Sequence, residues 1–272
     1  MIIRVRKADG SLELFDENKV LKTCFKLGLE PKNARRVLEK VKKRIYDTIP
    51  TKEIYKLITA YAQKFNPILR FRLGLREAIA KLRPKPDFEL FVERTLQEIG
   101  YKTERNVIVP GKCVEHEVDV IAEKNDEKEF VEIKHHVNPH ARIGLNVILA
   151  SWAAYQDVLD GYKRGLHNFG FKELLIISNS KISDHARRFC ECKGIKFLGW
   201  KFPKKSLDYL IESKKLYPIT LIKGLTEFEI NEFSKIGLIL LKDIPSKKPK
   251  LLKIGKKRYE EILKIGKELL KI

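Results

Sequence analysis

Cysteine, methionine, glutamine and long apolar runs are all scarce in this sequence, and each scarcity excludes something. The four cysteines, Cys24, Cys113, Cys190 and Cys192, are too few and too scattered for a disulfide framework, which points to a reducing cytoplasm. No apolar run approaches the roughly 20 residues of a membrane-spanning helix. The opening MIIRVRKADG has no signal-peptide architecture, so export is not expected. No G-x-x-x-x-G-K-[ST] loop occurs, so a P-loop motor is not supported. One Met and three Gln beside abundant Lys, Glu and Ile suggest a thermophile. Disorder is excluded by a hydrophobic fraction of 43%.

What the sequence has in excess is positive charge. Its 272 residues, enough for about two domains, hold 56 Lys and Arg against 36 Asp and Glu, a net +20. Such a balance calls for an anionic partner, nucleic acid first. The excess is not spread evenly. Residues 1–82 carry 20 basic and 9 acidic side chains, residues 83–200 carry 18 of each, and residues 201–272 carry 18 and 9. The ends are basic and the middle is neutral.

In the first part, alternation over residues 2–7, a turn at Ala8-Asp9-Gly10-Ser11 and a return over 12–15 predict a β-hairpin. Asp16 suits the N-cap of a helix from Glu17. Helical spacing follows at Val20, Cys24 and Leu27, at Ala34, Val37, Leu38 and Val41, and at Ile54, Leu57, Ile58 and Tyr61, with Thr51 placed to cap the third helix. The run Val5-Arg6-Lys7-Ala8-Asp9-Gly10-Ser11, then Glu13, Phe15-Asp16, Lys19-Val20 and the later TKEIYKLI, resembles the ATP-cone, a nucleotide-binding regulatory module. The resemblance implies a site for ATP or dATP at Val5, Lys7, Gly10, Glu13, Lys19 and Thr51, with Lys81 beside them. Many cones have a second basic residue directly after the lysine, where this chain has Ala8.

Arg83-Pro84-Lys85-Pro86 reads as a linker, because two prolines disfavour helix on both sides. An amphipathic helix is expected over 88–99, closed by Gly100, then strands over 101–109, 114–123 and 129–134. On strict alternation Val114, His116, Val118, Val120 and Ala122 share one face of the second strand. If the last two strands pair in one of their two registers, Asp119, Glu132 and Lys134 converge. Two carboxylates suit a hard cation such as Mg²⁺ or Mn²⁺, which activates water at a scissile phosphate. A lysine two residues beyond the second carboxylate stays on its face. A long helix over 145–161, a strand over 174–178, a helix over 183–194 and a strand over 196–200 complete a β/α alternation.

Glu89 with Gly100-Tyr101, His116-Glu117-Val118-Asp119-Val120 and Glu132-Ile133-Lys134 together resemble the PD-(D/E)xK nucleases, within them the Mrr-like restriction endonuclease and archaeal Holliday-junction resolvase branch. The resemblance implies Glu89, Asp119 and Glu132 as metal ligands and Lys134 as the catalytic lysine. Glu93, one turn after Glu89, is the alternative. It also implies a homodimer, since the superfamily often pairs subunits to cut both strands. His135, His136 and His140 follow the lysine, with Cys113 and His116 nearby. Their spacing is irregular and Cys190-x-Cys192 lacks the usual two-residue gap, so zinc is not expected. A polar loop over the sheet edge is preferred to a substrate-touching role for these histidines.

In the last part, Leu221-Ile222-Lys223-Gly224-Leu225-Thr226, a helix from Glu227 and then Gly237-Leu238 resemble a helix-hairpin-helix module. The resemblance implies backbone N–H contacts from Gly224, Leu225 and Thr226 to a DNA phosphate. The expected fold class is multidomain α/β. A β-hairpin with a helical bundle occupies 1–82, and a linker 83–87. A mixed sheet flanked by helices occupies 88–202, and a small all-α domain 203–272. The expected function is a metal-dependent DNA endonuclease regulated by nucleotide. The alternative is a nucleotide-responsive DNA-binding regulator on an inactive nuclease fold.

Overall fold

The structure, a computed structural model, describes residues 3–72 and 74–272. The chain opens with β1 (Arg4–Arg6) and β2 (Leu12–Leu14), paired antiparallel around the Lys7–Ser11 turn, where Gly10 has φ 83°. Asp16 accepts a hydrogen bond from the Asn18 N–H at 2.8 Å and caps α1 (Glu17–Lys26). α2 (Pro31–Lys42) begins with proline at its first position, where a missing N–H costs nothing. β3 (Ile49–Pro50), not anticipated from sequence, lies parallel to β1. α3 (Thr51–Ala62) follows at once. Thr51 does not cap it. Its hydroxyl donates to the Arg6 carbonyl at 3.1 Å, because Pro50 already stands at the N-cap and β3 delivers Thr51 beside β1. Val20, Cys24, Ala34, Val37, Val41, Ile54 and Ile58 form the core of this part. α4 (Leu75–Ala80) leads out of it.

Residues 83–87 are anchored rather than free. Pro84–Phe88 makes one bent turn, and the Asp87 side chain is fully buried. Arg83 donates to both Asp87 oxygens at 2.8 Å and to the Ser234 hydroxyl at 3.0 Å. The prolines break the helix as expected, but the segment is pinned at both ends.

α5 (Glu89–Glu98) ends at Ile99, with Gly100 beyond it at φ 94°. β4 (Lys102–Pro110), β5 (Glu115–Lys124) and β6 (Glu127–Lys134) form a meander. Asn125 and Asp126, both at positive φ, make the two-residue turn between β5 and β6. β7 (Arg142–Ile143) precedes α6 (Leu145–Lys163). β8 (Phe171–Ser178), β9 (Lys181–Ile182), α7 (Asp184–Lys193) and β10 (Lys196–Leu198) follow. The main sheet runs β10-β8-β6-β5-β4, parallel across β10, β8 and β6 and antiparallel across β6, β5 and β4. β7 and β9 form a separate parallel pair.

Alternate residues of the sheet feed two cores. Phe130, Leu174, Ile176 and Phe197 pack with α6 and α7, while Val131, Ile133, Leu175 and Leu198 pack with α5. α6 closes tightly on the turn after β4. A Cβ on Gly161 would stand 2.5 Å from the Pro110 carbonyl oxygen, so only glycine permits the approach.

The tail holds α8 (Leu207–Lys214), α9 (Glu227–Lys235) and α10 (Lys256–Leu270), and is all-helical as expected. It has no core of its own. Leu207, Ile211, Leu221, Phe233 and Ile262 share one continuous cluster with Phe88, Phe91, Val120 and Val131. Thr220 also donates its hydroxyl to the Ala78 carbonyl at 2.6 Å. The tail is therefore a structural wall of the central part.

Candidate active site

β5 and β6 pair with Val120 opposite Val131, a register that sets Asp119 beside Glu132. The Ile133 N–H donates to Asp119 Oδ2 at 2.7 Å, fixing that carboxylate from the neighbouring strand. The Lys134 ammonium pairs with Glu132. Strict alternation fails at Asp119. Val118 belongs to the α6 core, whereas Val120 and Ala122 belong to the α5 core. The break has a partner across the ladder. Asn106 of β4, the residue facing Asp119, has φ 54°, and these two are not paired although the register is continuous on either side. Asp119 thus stands where β5 changes face.

The first turn of α5 brings Glu89 to the same place, its side chain 4% exposed. Lys85 joins them from the bent turn. Its Nζ lies 3.1 Å from Glu89 Oε1, 2.8 Å from Glu117 Oε1 and 3.7 Å from Asp119 Oδ1. Glu93 takes no part, because it pairs with Arg105 at 2.7 Å and accepts from the Thr103 hydroxyl at 3.2 Å. Burial raises the pKa of Glu89, Asp119 and Glu132 above ordinary carboxylate values, and the Asp119 charge adds to the effect on Glu132. The three carboxylates bury like charge that the Ile133 N–H, Lys85 and Lys134 offset in part. Lys85 and Glu117 were not read from sequence as site residues. Lys85 carried no signal inside a Pro-x-Pro stretch, whereas Glu117, with the same strand parity as Asp119, did.

In the first part, Val5, Glu13, Lys19 and Thr51 line one pocket of about 120 Å³, floored by Phe15, Val20, Ile54 and Ile58. Glu13 lies 2.9 Å from Lys19 Nζ in this pocket and 2.7 Å from the Nζ of Lys7, which does not line it. Hydrogen bonds from both lysines hold the Glu13 carboxyl below its ordinary pKa. Gly10 shapes the hairpin turn and does not line the pocket.

A family model described as an ATP cone domain matches residues 3–78, and one described as a restriction endonuclease matches residues 80–199. An uncharacterized protein of Archaeoglobus fulgidus is 35% identical over 181 residues, 65% of this chain and 98% of that protein. The chain belongs to the restriction endonuclease family. It carries an ATP cone ahead of the nuclease domain. A second uncharacterized Archaeoglobus fulgidus protein is 43% identical over 42 residues, 15% of this chain and 89% of that protein. A crystal structure described as a protein of unknown function superposes with a TM-score of 0.59 at 34% identity, covering 67% of this chain and 96% of that one. The descriptions of the two relatives and of the crystal structure state no activity.

The nuclease domain's carboxylates suit a divalent cation. All donors are hard oxygens, burial and mutual repulsion outweigh the lysines' compensation of their charge, and an ammonium stands where a cation would be drawn. Among the described residues no three His, Cys, Asp or Glu side chains close into a finished metal cage, because the carboxylates spread around Lys85 instead. Glu89, Asp119 and Glu132 are the residues that would hold the ion.

The side chains of His116 and His135 make structural contacts. His116 pairs with Asp157 of α6 at 2.9 Å, and Asp157 also accepts the Cys113 N–H at 2.9 Å. His135 packs against Phe88 with ring centroids 4.9 Å apart and meets the Ile79 carbonyl at 3.2 Å. His136 is held through its backbone by Asn179. Two features of the tail bear on the helix-hairpin-helix expectation, which neither matching family model covers. Only a single 3₁₀ turn, Ile219–Leu221, precedes Gly224, where the module has its first helix. The Thr226 N–H, expected to face phosphate, donates to Glu229 Oε2 at 2.8 Å in a capping box, which sets a carboxylate at that helix start. Gly224 keeps its turn at φ 90°, and Leu225 packs on the core. No helix among the described residues is long and apolar enough to cross a membrane.

Proposed function

We propose that this protein is a metal-dependent endonuclease that hydrolyses phosphodiester bonds of DNA under control of ATP or dATP at its cone. The observation that carries this is the gathering of Glu89, Asp119, Glu132 and Lys134 at the point where β5 changes face. A bound Mg²⁺ or Mn²⁺ would supply an activated water and charge neutralisation at the scissile phosphate. The chain's own residues do the rest. Asp119, oriented by the Ile133 N–H, and Glu132 present their oxygens to the ion. Glu89 closes the site from α5. Lys134 orients the attacking water and neutralises phosphate charge. In the cone, the apolar floor takes the base while Lys7 and Lys19 face the phosphates, exchanging Glu13 for nucleotide. That pocket is smaller than the roughly 300 Å³ of ordinary ligand sites, so binding widens it, a movement suited to regulation.

The test is DNA cleavage with Mg²⁺ by wild type, Asp119→Asn and Lys134→Ala, titrated with ATP while its hydrolysis is followed. The variants are expected to lose about a hundredfold or more. Equal activity in all three would overturn the mechanism. Metal-independent, salt-sensitive binding without cleavage would support a DNA-binding regulator on an inactive fold.

A further inference from the structure

Positive side chains crowd one place where the cone meets the nuclease domain. β7 and β9 pair with Arg142 opposite Lys181, so both side chains leave one face of the ladder about 4.8 Å apart. Arg76 of α4 reaches the same region, with Nη1 3.2 Å from His140 Nδ1 and its guanidinium over the Trp200 ring at 5.5 Å. Arg76 Nε is buried without a hydrogen-bond partner. Two acids face this group, Asp9 of the cone hairpin, 3.2 Å from Arg142, and Asp208, whose charge acts on Arg76. Burial, then Arg76 and Arg142, lower the pKa of Lys181. Burial, then Arg76, lowers that of His140. Crowded cations with an unpartnered buried donor cost free energy that an anion would recover.

The cluster's position identifies the anion. β6 and β8 run parallel with Lys134 beside Ser178, so the segments that leave them emerge at one end of the sheet. One carries His140 and Arg142 and the other Lys181, and Asn179 ties them through two hydrogen bonds to the His136 backbone at 2.8 and 2.7 Å. The surface therefore begins where Lys134 stands. We propose that Arg76, Arg142 and Lys181 form a phosphate-binding cleft between cone and nuclease domain that holds the phosphodiester backbone of the substrate beyond the scissile bond. This rests on the nuclease reading for its substrate, yet its measurement does not need cleavage.

The experiment follows binding of a fluorescent DNA duplex in EDTA against KCl concentration, for wild type and Arg142→Gln/Lys181→Gln, with thermal melting to confirm folding. The double variant is expected to reduce the salt slope by about 2 and weaken binding at fixed salt by at least about tenfold. Arg142→Lys/Lys181→Arg, which keeps the charge, is expected to keep the slope, and ATP binding by calorimetry is expected to be unchanged. An unchanged slope in the Gln double variant overturns the proposal, as does loss of ATP binding with the DNA slope intact, which would assign the cleft to nucleotide phosphate. Failure of the nuclease reading would show separately, as no cleavage by wild type with Mg²⁺.

Discussion

The Lys85 ammonium lies 3.1 Å from Glu89 Oε1, inside the carboxylate group that a divalent cation would use. Ammonium and metal compete for the same oxygens. Lys85→Ala is therefore expected to tighten Mn²⁺ binding, measured by calorimetry without substrate. A half-exposed ion pair of about 1 kcal/mol corresponds to a roughly fivefold lower Kd. An unchanged Kd would show that Lys85 does not contest the site. Because Lys85 stands directly after the cone, in a turn fixed through Asp87 and Ser234, its position offers one mechanical link between the two domains.

Glu132 bears on stability as well as on metal. Its pKa is raised first by burial and then by Asp119. A carboxyl raised in the folded state stabilises the fold while protonated, and that contribution is lost as pH rises through the folded value. Glu132→Gln is therefore expected to raise the Tm of metal-free protein at pH 7. The difference shrinks as pH falls toward the ordinary glutamate value of about 4.3. A lower Tm for the variant at pH 7 would contradict this.

Glu13 holds Lys7 and Lys19 together, so the cone's charge is poised between an internal carboxylate and an external phosphate. Lys7→Ala/Lys19→Ala is expected to weaken ATP or dATP binding by on the order of tenfold or more, as loss of charged hydrogen bonds implies. Calorimetry with each nucleotide checks it. Undiminished affinity would place the nucleotide elsewhere.

Gly161 of α6 meets the backbone after β4 at a distance that no side chain allows. Gly161→Ala is expected to cost about 1–3 kcal/mol by urea denaturation, the range for overpacking a tight contact. Deleting residues 201–272 is expected to unfold the nuclease domain rather than merely to weaken DNA binding, because the tail shares the α5 core. Loss of the cooperative thermal transition would report it, and a truncated protein that melts normally would refute it.

The sequence by itself determined most of the elements and the order of the residues on which the proposed chemistry rests. Apolar spacing, Asp16 at a helix start, Gly100 at a helix end, the helix over 183–194, and the order of Glu89, Asp119 and the Glu132-Ile133-Lys134 strand are local properties, and the structure keeps them. The β5–β6 register was half legible, since a tight turn limits it to two choices, and the Asn125-Asp126 turn selects the one that joins Asp119 to Glu132. Tertiary structure alone decided the rest. It turned β5 over at Asp119, because Asn106 breaks the alternation from the neighbouring strand. It brought Lys85 and Glu89 to Asp119, gave Glu93 to Arg105, and merged the tail into the central core. It also gathered Arg76, Arg142 and Lys181 from three separate segments. A pattern along the chain records which face a residue prefers, whereas contacts between distant segments depend on packing that no local pattern encodes.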